Sequence, residues 1–229
     1  MKILAVIPAR GGSKGVPRKN IKLLGNKPLI EFTIDSAKNA TLLTEIVVST
    51  DDEEIAIAAE LAGCKPPFIR PTNLAQDHST SIEVVQHAVE FFEKQNSFFD
   101  AVCLLQPTSP FRENGFIDKA IEKFIQSDAD SLISVLPVPH QYNPHWIFEE
   151  NNGTLKIATG EEKIISRRQD LPNAFHRDGS IYITKIQTLK NGSFFGNKIA
   201  YIESNANFYV NIDTITDWEN AEKILNLNK

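Results

Sequence analysis

The sequence predicts an α/β fold in which a mostly parallel sheet carries helices on both faces, with an arm inserted late in the chain. Short apolar runs alternate with amphipathic stretches of helical length, the order expected of βαβ units. Those runs, such as ILAVI at 3–7 and AVCLL at 101–105, are apolar throughout, as strands covered on both faces must be. The alternation stops at Pro137, where a segment rich in proline and aromatic residues begins.

Taken in order, residues 2–7 are short, apolar and followed by Pro8, which reads as a buried strand. Residues 8–20, PARGGSKGVPRKN, form a loop rich in glycine and cations. Over 28–40, Leu29, Phe32, Thr33, Ser36 and Ala37 recur at helical spacing, and a proline suits the first turn. Residues 45–49 read as a second strand. Residues 51–62 read as a helix whose opening acids complement the N-terminal dipole. A short strand or sheet edge is expected at 67–69, a long capped helix at 79–94 and a buried strand at 101–105. A helix over 114–126 and a strand over 131–136 follow. The segment 137–146, PVPHQYNPHW, has three prolines and breaks the pattern. Beyond it, 151–160 is turn-rich, and strands are expected at 178–183, 198–203 and 208–212. A helix over 217–227 closes the chain. The organisation read from this is a core of 1–137 and 201–229, with 138–200 as an insert. No internal repeat or low-complexity segment is present.

Composition excludes several classes. Twenty-four basic residues stand against 29 acidic ones, a net charge of −5, which disfavours the broad basic face of a nucleic-acid binder. No apolar run approaches the roughly 20 residues a membrane helix needs. The early Lys2 and the short run ending at Pro8 lack the three-part layout of a secretion signal, so a cytoplasmic protein is expected. Cys64 and Cys103 both lie in apolar stretches and form no CxxC, as buried free thiols in a reducing compartment would.

Ligands in open α/β sheets bind beyond the carboxyl ends of strands. The unusual residues lie there, after Ile7, Ser49, Ile69 and Leu105. The first loop lacks both GxxxxGK[ST] and GxGxxG. Instead Gly11, Gly12 and Gly15 stand among Arg10, Ser13, Lys14, Arg18 and Lys19. Glycines allow backbone amides to converge on an anion, and four cations within ten residues repel one another unless negative charge is present. A polyphosphate supplies that charge. The five histidines show no metal-binding spacing.

IPARGGSKGVPRKNI at 7–21 resembles the opening signature of the acylneuraminate cytidylyltransferases, the CMP-sialic acid synthetases. Further likenesses follow in order: STDDEEIA at 49–56, RPTNLAQDHSTS at 70–81, LLQPTSPFR at 104–112, RRQDLPNAFHRDGSIYI at 167–183 and NIDTITDW at 211–218. Together they span nearly the whole chain. The resemblance implies a nucleotide-diphospho-sugar transferase-like core that transfers CMP from CTP to a nine-carbon 2-keto acid sugar and releases pyrophosphate.

The same resemblance implies residue roles. Arg10 and Lys19, with the backbone of Ala9, Gly11, Gly12, Ser13 and Gly15, would hold the triphosphate; Lys19 acts as a point charge and Arg10 as a planar fork. Asn20 and Ser81 would approach the ribose, Ser79 would line the nucleotide site, and Arg70 would read cytosine. The metal, magnesium or manganese, would be held at the C-terminal acidic motif, where two residues one apart share a strand face. That pair here is Asn211 and Asp213, an amide in place of the first acid, so Asp213 is expected to be the main ligand and Asn211 its support. Gln106, Arg168, Asp178 and Gly179 would face the sugar. Tyr182, Phe194 and Phe195 would belong to a dimerisation arm that reaches the neighbouring site, which implies a homodimer. Asp178 replaces the amide of the family's NG dipeptide, and that change suggests a diacetamido acceptor such as legionaminic acid, with sialic acid as the alternative. A cytidylyltransferase for the eight-carbon KDO is a neighbouring reading, but its loop has a different glycine layout. A non-catalytic nucleotide-binding module is the reading from another class.

Overall fold

A computed structural model describes residues 1–227 of the chain. The first strand β1, Ile3–Pro8, leads to a two-residue pair, β2 Leu23–Leu24 and β3 Lys27–Pro28. Helix α1, Leu29–Lys38, starts directly after Pro28, whose φ of −53° is set by its ring. Then come β4 Glu45–Ser49, α2 Glu53–Leu61, α3 Ser81–Glu93, β5 Ala101–Leu104, α4 Phe116–Ser127 and β6 Ser131–Pro137. The hairpin β7 Phe148–Asn151 and β8 Thr154–Ile157 precedes β9 Phe175–Lys185, α5 Ile186–Lys190, β10 Ile199–Glu203 and α6 Ile215–Leu227.

Six strands form the central sheet in the order β10-β6-β9-β5-β1-β4. Five run parallel, and β9 alone lies antiparallel, between β5 and β6. The mostly parallel sheet is therefore as expected. The expected boundary of the insert is not. Residues 175–185 form a central strand, so the chain outside the sheet core is 138–174. It leaves at Pro137 and returns at Phe175, two residues paired in the β6–β9 register. Period alone marks a strand but not its place in a sheet, so the sequence does not mark the return of the chain at Phe175.

Alternation on each strand feeds two cores. Ile3, Ala5 and Ile7 of β1 face one side with α1, α2 and α4, while Leu4 and Val6 face the other with α3. A third cluster joins Val16 and Leu24 to Val210, Ile212 and Trp218. It fastens the loop after β1 to the segment before α6. Two expected strands are absent. Residues 67–69 follow Pro66 and are held by the Arg70 amide on Thr50 O at 2.7 Å. Residues 208–212 are tethered through Ile212 N on Thr108 O at 2.8 Å without joining a sheet. Both cysteines are free and buried, and burial pushes the Cys103 thiol up to about 12. No helix among the described residues is long and apolar enough to cross a membrane.

Candidate active site

The carboxyl ends of β1, β4 and β5 lie side by side because these strands are parallel neighbours. The chain beyond each end contributes to one open cleft of about 360 Å³. Arg10, Ser13, Gly15, Lys19, Asn20, Arg70, Ser79, Ser81, Gln106 and Asp213 all line it, from four separate stretches of sequence. Ten of the residues expected to meet CTP, sugar or metal thus converge. Ala9, Gly11 and Gly12 do not line it: Ala9 is buried, with its amide on Ser49 O at 2.9 Å.

Glycine is required at Gly15. A Cβ there would stand 1.8 Å from the Asp213 carbonyl oxygen, so any side chain would push the C-terminal segment away. Gly11 faces Asp52, whose Oδ2 would lie 2.5 Å from an added Cβ. Gly12 has open space around it, so nothing steric demands glycine there.

Each loop cation has an acid of its own chain. Arg10 pairs with Asp77 at 3.1 Å and Lys14 with the same carboxylate at 2.5 Å. The neighbouring Lys14 holds the Asp77 carboxyl below its ordinary range. Arg18 pairs with Asp52 and Glu54 at the start of α2 and does not line the cleft. Lys19, nearly buried, donates to Ile212 O at 2.6 Å and to Asp213 Oδ1 at 3.2 Å. Arg70 is buried, bonds Asp51 at 3.2 Å, and has its pKa lowered by burial. Sequence reasoning gave roles to the cations and missed Asp51 and Asp77. The available signal was their place beside the cations' own motifs: Asp51 just past β4 in STDDEEIA and Asp77 in the loop RPTNLAQD.

Ser81 opens α3, which Thr80 and Glu83 cap in a reciprocal box, so the helix N-terminus faces the cleft. The Ser79 hydroxyl accepts from Gln76 N at 3.0 Å and donates to Asn73 O at 3.1 Å, closing the turn before the helix. Asn20 donates to Arg10 O at 3.0 Å and so fixes the arginine's backbone.

At the C-terminal motif, Asn211 Nδ2 donates to Asp213 Oδ2 at 2.7 Å. Asp217 accepts from the amides of Asp213 and Thr214 and is used as a cap. Among the described residues no cluster of three or more His, Cys, Asp or Glu could hold a metal by itself. One exposed carboxylate in a cleft wall suits an ion that takes its other ligands from phosphates and water, as magnesium does.

The residues expected at the sugar divide. Gln106 lines the cleft, and Gly179, with φ +83°, lies against it: an added Cβ would be 3.6 Å from Gln106 Oε1. Asp178 departs from expectation. It is buried, and its carboxylate accepts from the Ser134 and Ser204 hydroxyls and from Ser180 N at 3.0 Å. It ties down the bulge where β9 loses register with β6, so it is already satisfied by its own chain. Arg168 lies apart, in a separate cavity with Pro137, Asn143 and Phe175, because the 138–174 segment carries it. Tyr182, Phe194 and Phe195 pack together in the core beside α3, with ring centroids of 6.1 and 6.4 Å from Tyr182, rather than standing on an arm. A residue with no assigned role emerges behind Gln106, outside the cleft lining. Half-buried Arg112 donates to Ser180 O and Gln106 O, both at 2.9 Å, and to Thr33 Oγ1 at 3.1 Å; desolvation brings its pKa down to about 10.

Comparison with known proteins agrees with this arrangement. A family model described as cytidylyltransferase matches residues 4–228. The pseudaminic acid cytidylyltransferase of Campylobacter jejuni is 38% identical over all of this chain and 98% of its own length. The CMP-N,N'-diacetyllegionaminic acid synthase of Legionella pneumophila is also 38% identical, with the same coverage. In fold, a CMP:2-keto-3-deoxy-manno-octonic acid synthetase complexed with CTP superposes with a TM-score of 0.73, covering all of both chains at 17% identity. A glycine-rich cationic cleft at the ends of parallel strands, matched over the whole chain by such relatives, places this protein in the cytidylyltransferase family with the CMP-sialic acid synthetases, as a CTP-dependent nucleotidyltransferase.

Proposed function

We propose that the chain transfers CMP from CTP to the anomeric hydroxyl of a diacetamido nonulosonic acid. The observation that carries this reading is the convergence of Arg10, Lys19, Arg70, Ser81, Gln106 and Asp213 on one cleft. The anomeric oxygen forms a bond to the α-phosphorus and releases its proton to solvent, the bond from the α-phosphorus to the α–β bridging oxygen breaks, and pyrophosphate departs. Such a transfer depends mainly on positioning and charge neutralisation. Arg10 and Lys19 hold the triphosphate, displacing Asp77 and Asp213 as counter-charges. Arg70 and Ser81 hold the nucleoside, and Gln106 orients the sugar.

Magnesium or manganese would be held by Asp213, oriented by Asn211, and would neutralise charge on the phosphates and the departing pyrophosphate. Asp213→Asn is expected to raise the metal concentration for half-maximal activity about tenfold or more, and Asn211→Ala less. A metal titration of both variants checks the order; the reverse ranking would make Asn211 the ligand.

The acceptor class rests on the two relatives named for pseudaminic and diacetyllegionaminic acids. Asp178 does not support it, since its carboxylate is engaged internally. A CTP-dependent pyrophosphate assay over sialic, legionaminic and pseudaminic acids is expected to favour one of the latter two. A wide preference for sialic acid would overturn that acceptor. A homodimer is part of the proposal: Tyr142, Phe148, Leu155 and Ile164 of the 138–174 segment expose apolar surface that a second copy would cover, bringing Arg168 toward the partner's sugar. The buried free thiols support a cytoplasmic setting.

A further inference from the structure

The residue that links the nucleobase side of the cleft to its phosphate side is Asp51, which follows β4 by two positions. Its Oδ1 accepts from the Gly11 amide at 3.1 Å and from Arg70 Nη2 at 3.2 Å. One oxygen atom thus joins the glycine-rich loop after β1 to the arginine at the cleft wall. The support behind it is rigid: Thr50 is fully buried, and its carbonyl accepts the Arg70 amide at 2.7 Å.

Arg70 itself is incomplete. Its side chain is 3% exposed, yet Nε is buried without a hydrogen-bond partner. A buried donor left unmade is costly, so the position calls for an acceptor. Arg70 lines the cleft, where the base of a bound nucleotide would lie beside its guanidinium. Cytosine offers acceptors at O2 and N3, whereas uracil carries a hydrogen on N3. A guanidinium held in one orientation separates the two bases, and a rotating one does not.

We propose that Asp51 is a positioning residue that fixes the Arg70 guanidinium for cytosine and, through the same oxygen, anchors the glycine-rich loop at Gly11, on which Arg10 and Ser13 enter the cleft. This rests on the reading of Arg70 as the base contact. Asp51 touches no reacting atom. Its removal frees Arg70 to rotate and loosens the loop together.

The test measures kcat and KM with CTP and with UTP for Asp51→Ala, Asp51→Asn and Arg70→Ala, with thermal melting of each variant. Asp51→Ala is expected to lower kcat/KM for CTP by about ten- to a hundredfold, mostly through KM, and to cut the CTP-over-UTP ratio about tenfold. The KM for the sugar should stay within about twofold, because the acceptor side is untouched. Asp51→Asn keeps an oxygen at the same place and is expected to recover most of the ratio, which also covers the case of a poorly folded alanine variant. A purely structural residue would depress both nucleotides alike and leave the ratio unchanged; that result overturns the proposal. If Arg70→Ala collapses the ratio and neither Asp51 variant moves it, the coupling is wrong and the base contact stands. If no variant moves it, the base contact is wrong as well.

Discussion

Replacing Lys19 with alanine is expected to cut turnover about 10²- to 10³-fold while leaving the fold intact, the loss typical of removing one preorganised charge from a transition state. Lys19 is well placed for this. Its side chain is only 13% exposed, and the Ile212 carbonyl and Asp213 carboxylate fix the direction of its ammonium. Burial strengthens a charge by removing the water that would screen it. The variant loses two hydrogen bonds at the edge of the cleft and none in the sheet, so its melting temperature should move little. Pyrophosphate release at saturating CTP, measured beside a melting curve, separates the two effects. Turnover near the wild-type value would remove Lys19 from the triphosphate. Lys19→Arg is not expected to restore activity, since a planar fork does not fit where a compact ammonium bridges two oxygens.

The second large effect falls on stability. Arg112→Ala is expected to destabilise the protein by about 3–5 kcal/mol, combining a cavity with acceptors left unpaired. Arg112 is half-buried and ties three elements: the loop after β5 through Gln106 O, strand β9 through Ser180 O, and α1 through Thr33. Denaturant unfolding of the variant measures the loss. A change under about 1 kcal/mol would mean that the loop keeps its shape without the clamp. Because the same loop carries Gln106, residual folded Arg112→Ala protein should bind the sugar poorly.

Much of this arrangement was legible in the sequence. The glycine-rich cationic loop, the alternation of strands and helices, and the strand ends that gather the chemistry could all be read from residue types and periods. What was not legible depends on partners far away in the chain. Nothing in RDGSIYI shows that its strand inserts antiparallel into the middle of the sheet, because a strand's period does not name its neighbours. Asp178 stands in the sequence where a sugar contact is expected, but the Ser134 and Ser204 hydroxyls occupy its carboxylate. Phe194 and Phe195 looked like an arm because aromatic pairs are equally at home in cores and interfaces; here they fill the space beside Tyr182. Asp51, Asp77 and Arg112 were visible as letters within recognisable stretches. Their roles come from hydrogen bonds across 19, 67 and 79 positions of sequence.

The contact between Gly15 and Asp213 ties one of the earliest loops to one of the latest, and the Lys19–Asp213 bond spans a sequence separation of 194. On a ribosome, a growing polypeptide could assemble β1, β4 and β5 well before residue 213 emerged, yet it would have no finished grip on a nucleotide. Contacts this remote close late, because chain entropy must be overcome before they form. A chain released before residue 213 is therefore expected to lack both ties between its first loop and its last segment, however complete its sheet.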